Sequence, residues 1–377
     1  MIKAKRDELL APLAAVSGII ERRHTLPILS NVLIDGAADT LAFLATDIEI
    51  QITARSSLAG SRETRALTVG ARKLLDILRA LPEDAEVSLQ TQDKRLLVRA
   101  GRSRFTLQTL PAEDFPRLAK AGGEPARFTL PQKLLRRHLG LVHYAMAQQD
   151  IRYYLNGLLM VADGAELRLV ATDGHRLAFS SLELPASLPH YEAIVPRKTV
   201  LELTKLLSDT EDEVRIELSA TQAAFSFGAI DLVSKLVDGK FPDYTRVIPA
   251  QHKNRLRTER EALRQALQRA AILSNEKFRG VRWVLGDGSL KIISSNADQE
   301  EAQEELEVSY GGDALDIGFN VNYLLDVLNN VPGAELECAF GDASSSALIS
   351  YASEKGFKYV VMPMRIIARS RSSSSCR

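Results

Sequence analysis

The chain has 377 residues, a formal net charge of +0, 45% hydrophobic and 25% charged side chains, and 2 cysteines. That is the composition of an ordinary globular protein of two or three domains, and its balanced charge excludes a partner chosen by global charge alone. No apolar run approaches the ~18 residues that span a bilayer, Met1–Arg6 is not followed by a signal-peptide core, and both cysteines are expected to be unpaired, so a reducing, cytoplasmic setting is expected.

In chain order the same series of elements is predicted three times. An amphipathic helix over Asp7–Val16 leads to Leu29–Ile34, a turn at Asp35-Gly36 and a strand over Leu41–Ile50. A second helix covers Ala71–Leu78 and a strand Glu86–Leu89. The series restarts with a helix over Leu130–Val142, Pro131 at its first position, then Tyr153–Val161, a hairpin at Asp163-Gly164, Glu166–Phe179, a helix over Pro196–Leu203 and a strand over Glu213–Leu218. It restarts again with Thr258–Ile272, where Thr258 and Glu261 have capping-box spacing, then Phe278–Leu285, a hairpin at Gly286-Asp287-Gly288, Leu290–Asn296, a helix over Asn320–Leu328 and a strand over Ala334–Phe340. Leu110-Pro111-Ala112-Glu113-Asp114-Phe115-Pro116 is echoed at Leu236–Tyr244, and Thr46-Asp47, Thr172-Asp173 and Ser295-Asn296 fall at matching points. The period is roughly 125 residues, the size of a domain and too long for a solenoid. The expected organisation is three α+β domains over 1–125, 126–252 and 253–366, with a low-complexity, disordered tail over 367–377. Three such units in one chain trace an arc, which closes only by meeting a copy of itself head to tail.

Catalytic signatures are missing. There is no Walker-type loop and no Gly-x-Ser-x-Gly elbow, and the 6 histidines show no metal-ligand spacing. No catalytic residue, metal or cofactor is therefore expected. Asp173-Gly174-His175-Arg176 could serve as an acid/base site, but a turn explains all three copies and an active site explains only one.

Local charge is more informative than the total. Basic residues recur on the helices: Arg72, Lys73 and Arg79; Lys133, Arg136 and Arg137; Arg197, Lys198 and Lys205; Arg257, Arg260 and Arg264. Lining the inside of an arc, they would hold a duplex by its phosphates without reading sequence. Gln148-Gln149-Asp150-Ile151-Arg152-Tyr153-Tyr154 adds amides, a cation and two aromatic rings suited to phosphates and exposed bases; alternatively the two tyrosines begin a strand. The acidic run Gln299–Glu307, with Glu300, Glu301 and Glu304, has its complement in Arg95, Arg102 and Arg104 beside Phe105 and Leu107, and Ile272 and Leu273 lie near it in sequence. That pairing is expected at a subunit interface, where charge sets orientation more than affinity. Met362-Pro363-Met364 is either a deformable apolar surface or the end of a core strand.

Six phrases carry a resemblance: Thr25–Asn31, Arg152–Gly157, Ala171–Leu177, Ser234–Tyr244, Ile272–Val281 and Val360–Arg365. Together they resemble the bacterial DNA sliding-clamp family, the β subunits of DNA polymerase III, across residues 1–365. The resemblance implies a head-to-tail homodimer, a ring of six domains with helices lining the hole and sheets outside. It implies a non-catalytic processivity factor that encircles duplex DNA, cytoplasmic and associated with the bacterial nucleoid. Its partners would be the polymerase III catalytic subunit, the clamp loader, and other polymerases and repair proteins that dock through short linear peptides. By matching positions, the peptide pocket comprises Leu155, Thr172, Gly174, His175, Arg176, Leu177, Pro242, Arg246, Val247, Asn320, Tyr323, Ser346, Val360, Met362, Pro363, Met364 and Arg365. DNA contacts are implied at Arg23, Gln149, Tyr153 and Tyr154, to which the 148–154 loop adds Gln148 and Arg152 and the basic helix pattern adds Arg72, Arg136, Arg137, Arg197 and Lys198. Lys73 joins the charged and apolar residues of the expected dimer interface. The competing readings are an open arc that binds duplex without closing, and an enzyme using Asp173, His175 and Arg176.

Overall fold

The computed structural model describes residues 1–21, 25–37, 39–57 and 64–365. The duplex contact expected at Arg23 and the tail expected over 367–377 lie outside the described residues. The chain divides into two compact units. One comprises Met1–Arg137, Met160–Glu166 and Glu183–Gly239; the other comprises His138–Leu159, Leu167–Leu182 and the chain from Lys240 onward.

Among the described residues six α-helices form: α1 (Arg6–Val16), α2 (Ala71–Ala80), α3 (Gln132–Val142), α4 (Arg197–Leu206), α5 (Arg260–Ile272) and α6 (Val321–Asn330). Each copy opens on a short strand before its helix, which corrects the expected order: Ile2–Lys5, Ala126–Pro131 and Asn254–Glu259. These strands alternate inside and outside, burying Ile2 and Ala4, Phe128 and Leu130, Leu256 and Thr258. Pro131 therefore ends a strand, and α3 starts at Gln132, whose N–H donates to the Asp212 carbonyl at 2.8 Å. Thr258 is likewise buried in a strand and caps nothing; Glu261 takes up Arg264 and Gln265 instead. Half of a capping box occurs at α1, where Glu8 reaches back to accept from the Lys5 N–H at 2.8 Å.

In the first unit, a sheet of 12 strands runs through both the first and second copies. The copies join where Ile50–Ser57 pairs antiparallel with Ile230–Lys235, Ile50 opposite Ser234 and Ala54 opposite Ile230. The hairpin expected at Asp35-Gly36 lies further on: Asp35, Gly36 and Ala37 pair with Ala42, Leu41 and Thr40, and Asp35 falls instead at an irregularity in the pairing with Thr64–Gly70. In the second unit, Arg176–Ser180 pairs with Phe357–Val361 by the same device, and Gly280–Gly286 is the centre of a 4-stranded sheet. Its core sets Trp283 edge to face with Phe319 and Phe340, and the apolar stripe of α5, Leu263, Ala266, Leu267 and Ala270, is buried as the spacing predicts. Asp287-Gly288 is a two-residue hairpin turn with Gly288 at φ +68°. Gly164 is also left-handed, at φ +59°, but the hairpin expected at Asp163-Gly164 lies within a strand that runs over Gly157–Thr172.

The three matching Asp/Asn positions prove to be one device. Asp47 Oδ1 accepts from the N–H groups of Glu49 (3.0 Å) and Ile50 (2.8 Å). Asp173 Oδ1 accepts from His175 (2.9 Å) and Arg176 (3.1 Å), and Asn296 Oδ1 from Asp298 and Glu300 at 3.0 Å each. Thr46 and Thr172 brace theirs by donating across the turn to Ile50 and Arg176 carbonyls. Each turn aims the next strand, the side chain replacing a backbone turn.

Candidate functional site

A cavity of about 200 Å³ opens in the second unit beside the Asp173 turn. Its lining includes nine predicted residues: Leu155, Thr172, Gly174, Arg176, Leu177, Pro242, Val247, Val360 and Met362. Short-range structure explains their convergence. The turn brings Thr172, Gly174, Arg176 and Leu177 to one wall; the strand Glu354–Val361 pairs with it, Leu177 opposite Val360. Met362 follows that strand, its N–H donating to the His175 carbonyl at 2.9 Å, and its side chain is exposed at the mouth. The apolar floor is a buried surface left without a partner of its own, and Met adapts its shape to what fills it.

Arg176 anchors the arrangement. Its side chain is 9% exposed, with Nε on Asp173 Oδ2 (3.1 Å), Nη1 on Asp326 Oδ2 (2.5 Å) and Nη2 on the Tyr144 carbonyl (2.7 Å). The guanidinium lies 4.5 Å from the Tyr323 ring centroid, and His175 stacks on the same ring at 6.4 Å. Burial alone would lower its pKa; Tyr359, Asp326 and Asp173 outweigh burial and raise it, so it stays charged. Asp173 thus holds the turn and Arg176 is an immobile cation, so neither is available for acid/base work.

The other predicted pocket residues do not line the cavity. Asn320 caps α6 by accepting from the Asn322 N–H at 2.9 Å, and Met364 donates its N–H to the Gly318 carbonyl at 2.8 Å. Arg246 is highly exposed and paired with Asp243 at 3.0 Å. The Ser346 carbonyl accepts from His252 at 2.7 Å. Pro363 is half-buried and Arg365 exposed.

Three lining residues come from outside that prediction. Arg152 and Tyr154, expected on duplex DNA, line the cavity, and Tyr244 joins them. Tyr244 stands in the quoted phrase Phe241-Pro242-Asp243-Tyr244, and its ring lies 5.9 Å from Phe179. The 148–154 loop is a folded unit: Asn156 ties it through Asp150 N–H (2.9 Å) and Asp150 carbonyl (2.8 Å), and Arg152 grips the Asp150 carboxylate. That hydrogen bond holds the Asp150 carboxyl down at about 2. Tyr153–Leu155 is a 3₁₀ turn, so the tyrosines precede the strand at Gly157 and do not start it. Gln148, Gln149 and Tyr153 are exposed, with Ile151 97% exposed at the tip.

Several basic residues have structural partners. Lys198 Nζ donates to the Ile19 carbonyl (3.2 Å), Glu21 (3.1 Å) and Asp47. Arg260 donates to the Gly333 and Leu328 carbonyls at 2.9 and 2.8 Å, Arg257 pairs with Glu337 and Arg264 with Glu261. The expected stripe of Arg257, Arg260 and Arg264 is therefore not one helix face: Arg257 is on a strand. Arg72, Arg136 and Arg137 are exposed, and Arg197 is half-buried on α4. Arg72 and Lys73 edge a cleft of about 380 Å³ with Leu107–Leu110.

Of the expected interface residues, Arg95, Arg102 and Arg104 are exposed and Phe105 and Leu107 half-buried along Ser103–Leu110. Glu301–Glu307 is the last strand of its sheet, Ile272 is 76% exposed and Leu273 half-buried. Glu300 accepts from Asn296, and Glu304 is already held by Arg269 at 2.9 and 2.6 Å. Among the described residues no cluster of His, Cys, Asp and Glu could hold a metal, and no helix is long and apolar enough to cross a membrane. Cys338 is buried, and burial pushes its thiol up.

Models of the N-terminal, central and C-terminal domains of the DNA polymerase III beta subunit match residues 1–119, 129–243 and 245–365. The chain belongs to the DNA polymerase III β-subunit family. It is 49% identical to the beta sliding clamp of Salmonella typhimurium over 362 residues, 96% of this chain and 99% of that one. The Escherichia coli K12 beta sliding clamp is 48% identical over the same coverage. Among solved structures, the DNA polymerase III subunit beta of Pseudomonas aeruginosa superposes with a TM-score of 0.93 at 47% identity, covering 97% of this chain and 100% of that one. The sliding clamp of the same organism bound to griselimycin matches with the same TM-score and identity, covering 97% and 99%. As a β subunit, the chain is a replication processivity clamp, a non-catalytic partner of DNA and polymerase, and the family assembles as a homodimeric ring.

Proposed function

We propose that two copies close a head-to-tail ring around duplex DNA through the strands Glu301–Glu307 and Ser103–Leu110. The observation that carries this is the repeated junction. After each of the first two Asp turns, the following strand pairs with the last strand of the next copy: Ile50 opposite Ser234, Arg176 opposite Val361. Among the described residues, Glu301–Glu307 follows the third turn and pairs on one side only, and Ser103–Gln108 is paired only with Arg95–Ala100. Carrying the first register onto the third junction sets Glu300 opposite Gln108 and Glu304 opposite Arg104. Such unpaired edges are otherwise a liability, and opposite charges steer them together.

In this reading the cavity receives a short peptide from the polymerase catalytic subunit, the clamp loader, or other polymerases and repair proteins. Its volume lies below the ~300–1,000 Å³ of a site that encloses a whole small molecule, and fits side chains of a longer ligand. Gln148, Gln149, Ile151 and Tyr153 form the loop's exposed face toward duplex, with Arg72, Arg136, Arg137 and Arg197 giving sequence-independent phosphate contacts. The protein acts in the cytoplasm, on the nucleoid. Tethering raises the polymerase's effective concentration at the primer end without any chemistry in the clamp.

The test is retention on circular and linearised DNA after loading with the cognate clamp loader and ATP, at salt that screens phosphate contacts. Loader-dependent retention on circles alone, with Arg104→Glu monomeric by sedimentation and not retained, is the expected result. Equal retention on both forms, or a dimeric Arg104→Glu, refutes the closure.

A further inference from the structure

The side chain that sets what the pocket accepts lies outside its lining. Two guanidinium groups, Arg152 and Arg176, stand in the wall of an otherwise apolar cavity. An arginine in such a place is ordinarily a receptor for carboxylate, because its forked donors match that group. Here both are matched from within. Arg152 grips Asp150, and Arg176 is shared between Asp173 on its own turn and Asp326 on α6. Its third nitrogen, Nη2, donates to the Tyr144 carbonyl. Asp326 stands three residues after Tyr323, one helical turn on, so α6 both covers the guanidinium with a ring and holds its edge with a carboxylate. Tyr359 fixes the ring's backbone by donating to the Tyr323 carbonyl at 2.8 Å.

We propose that Asp326 is a positioning residue that sets the pocket's charge specificity: by holding Nη1 of Arg176 it withholds the donor that would select an acidic ligand, leaving the site to apolar side chains. This rests on reading the cavity as a peptide site. Asp326 touches no ligand in this scheme; it acts through Arg176. Removing its charge leaves the guanidinium one carboxylate short, and an acidic group on the ligand supplies the missing charge from the cavity side.

The test uses two N-terminally fluorescein-labelled, C-amidated hexapeptides, one with adjacent leucine and phenylalanine among serines, its twin with one serine replaced by aspartate. Anisotropy titrations of the full-length protein give both affinities. The wild type is expected to bind the two alike within about twofold. In Asp326→Asn the acidic twin gains about tenfold over the neutral one, the order of one hydrogen bond to a charged group. The gain shrinks as salt rises, disappears when Arg176→Met is added, and is absent in Asp326→Glu, which restores the carboxylate. An Asp326→Asn protein with native unfolding midpoint and an unchanged ratio overturns the proposal. So does an equal loss for both peptides, which marks a merely structural role. Failure of the wild type to bind either peptide overturns the peptide reading itself, and the proposal with it.

Discussion

Gly174→Ala tests the turn at the heart of the pocket. Gly174 has φ +89°, and a Cβ there would stand 2.9 Å from Arg152 Nη1 and 3.0 Å from Nη2. Left-handed backbone costs an L-residue about 1–2 kcal/mol, against about 0.4–1 kcal/mol gained by restricting the unfolded chain. The net is a destabilisation of about 1 kcal/mol. The close contact adds little, because Arg152 is 45% exposed and its end can swing, but swinging gives up its 3.2 Å bond to the Asp173 carbonyl and opens one wall of the cavity. Peptide affinity is expected to fall about threefold to tenfold, equivalent to ~1 kcal/mol. The matched control is Ile48→Gly in the first copy's turn, where a branched side chain sits at φ +71° and 41% exposure. Relief of about 1–3 kcal/mol of strain there offsets lost burial of roughly 1–1.5 kcal/mol and the glycine's extra chain entropy, so the change is near neutral. Urea midpoints at fixed protein concentration, with unchanged slopes, measure both. A neutral Gly174→Ala beside an Ile48→Gly loss above about 2 kcal/mol refutes the equivalence of the two turns.

Two further outcomes separate structural arginines and lysines from duplex-binding ones. Arg260→Ala strips two carbonyls of their donor and is expected to cost about 2–3 kcal/mol while leaving the salt dependence of duplex binding untouched, read by chemical denaturation and by affinity against salt. Lys198→Ala is expected to cost about 1 kcal/mol, a partly exposed ion pair and a carbonyl bond. Burial opposes the Lys198 charge, and Asp47 and Glu21 more than restore it, so its pKa is raised. A raised folded pKa gives stability that is whole below the unfolded value near ~10.4 and is lost as pH climbs through the folded one. The difference between Lys198→Ala and the wild type is therefore flat from neutral pH to about pH 10 and shrinks only above it; a difference that vanishes near pH 8 contradicts the bond.

The threefold repeat was legible because its signal is local. Thr46-Asp47, Thr172-Asp173 and Ser295-Asn296 encode a side-chain turn within a few residues, and that turn recurs as read. The opening strands were not legible, because Asn254–Glu259 runs into α5 without a break, and Thr258 with Glu261 imitates a cap while the Thr258 side chain is buried in a sheet. Asp35-Gly36 imitates a hairpin for a similar reason, since the pairing that carries it further comes from the partner strand. Most of the pocket wall followed from family phrases, yet Tyr244 and the inward turn of Arg152 and Tyr154 depend on a loop tied by Asn156. The basic pattern misled most where partners are remote: Asp47 lies 151 residues from Lys198, and Glu21 lies 177 away.

One turn built three times has been put to three uses, and the difference lies in what meets it. In the first copy Lys198 of α4 reaches across to Asp47, and the junction is locked by an ion pair with a carbonyl bond behind it. In the second, the corresponding helix, α6, offers the ring of Tyr323 and the carboxylate of Asp326, which immobilise Arg176 and leave apolar surface uncovered beside it. Gly174, where the first copy has Ile48, keeps the turn free of a side chain and lets Arg152 lie against it. In the third copy the turn takes one more residue before its strand, Asn296 holding Asp298 and Glu300, and that strand ends as an acidic edge. A lock, a pocket and an open edge thus arise from the same backbone device. Each of the first two follows from which side chain the next copy presents to it.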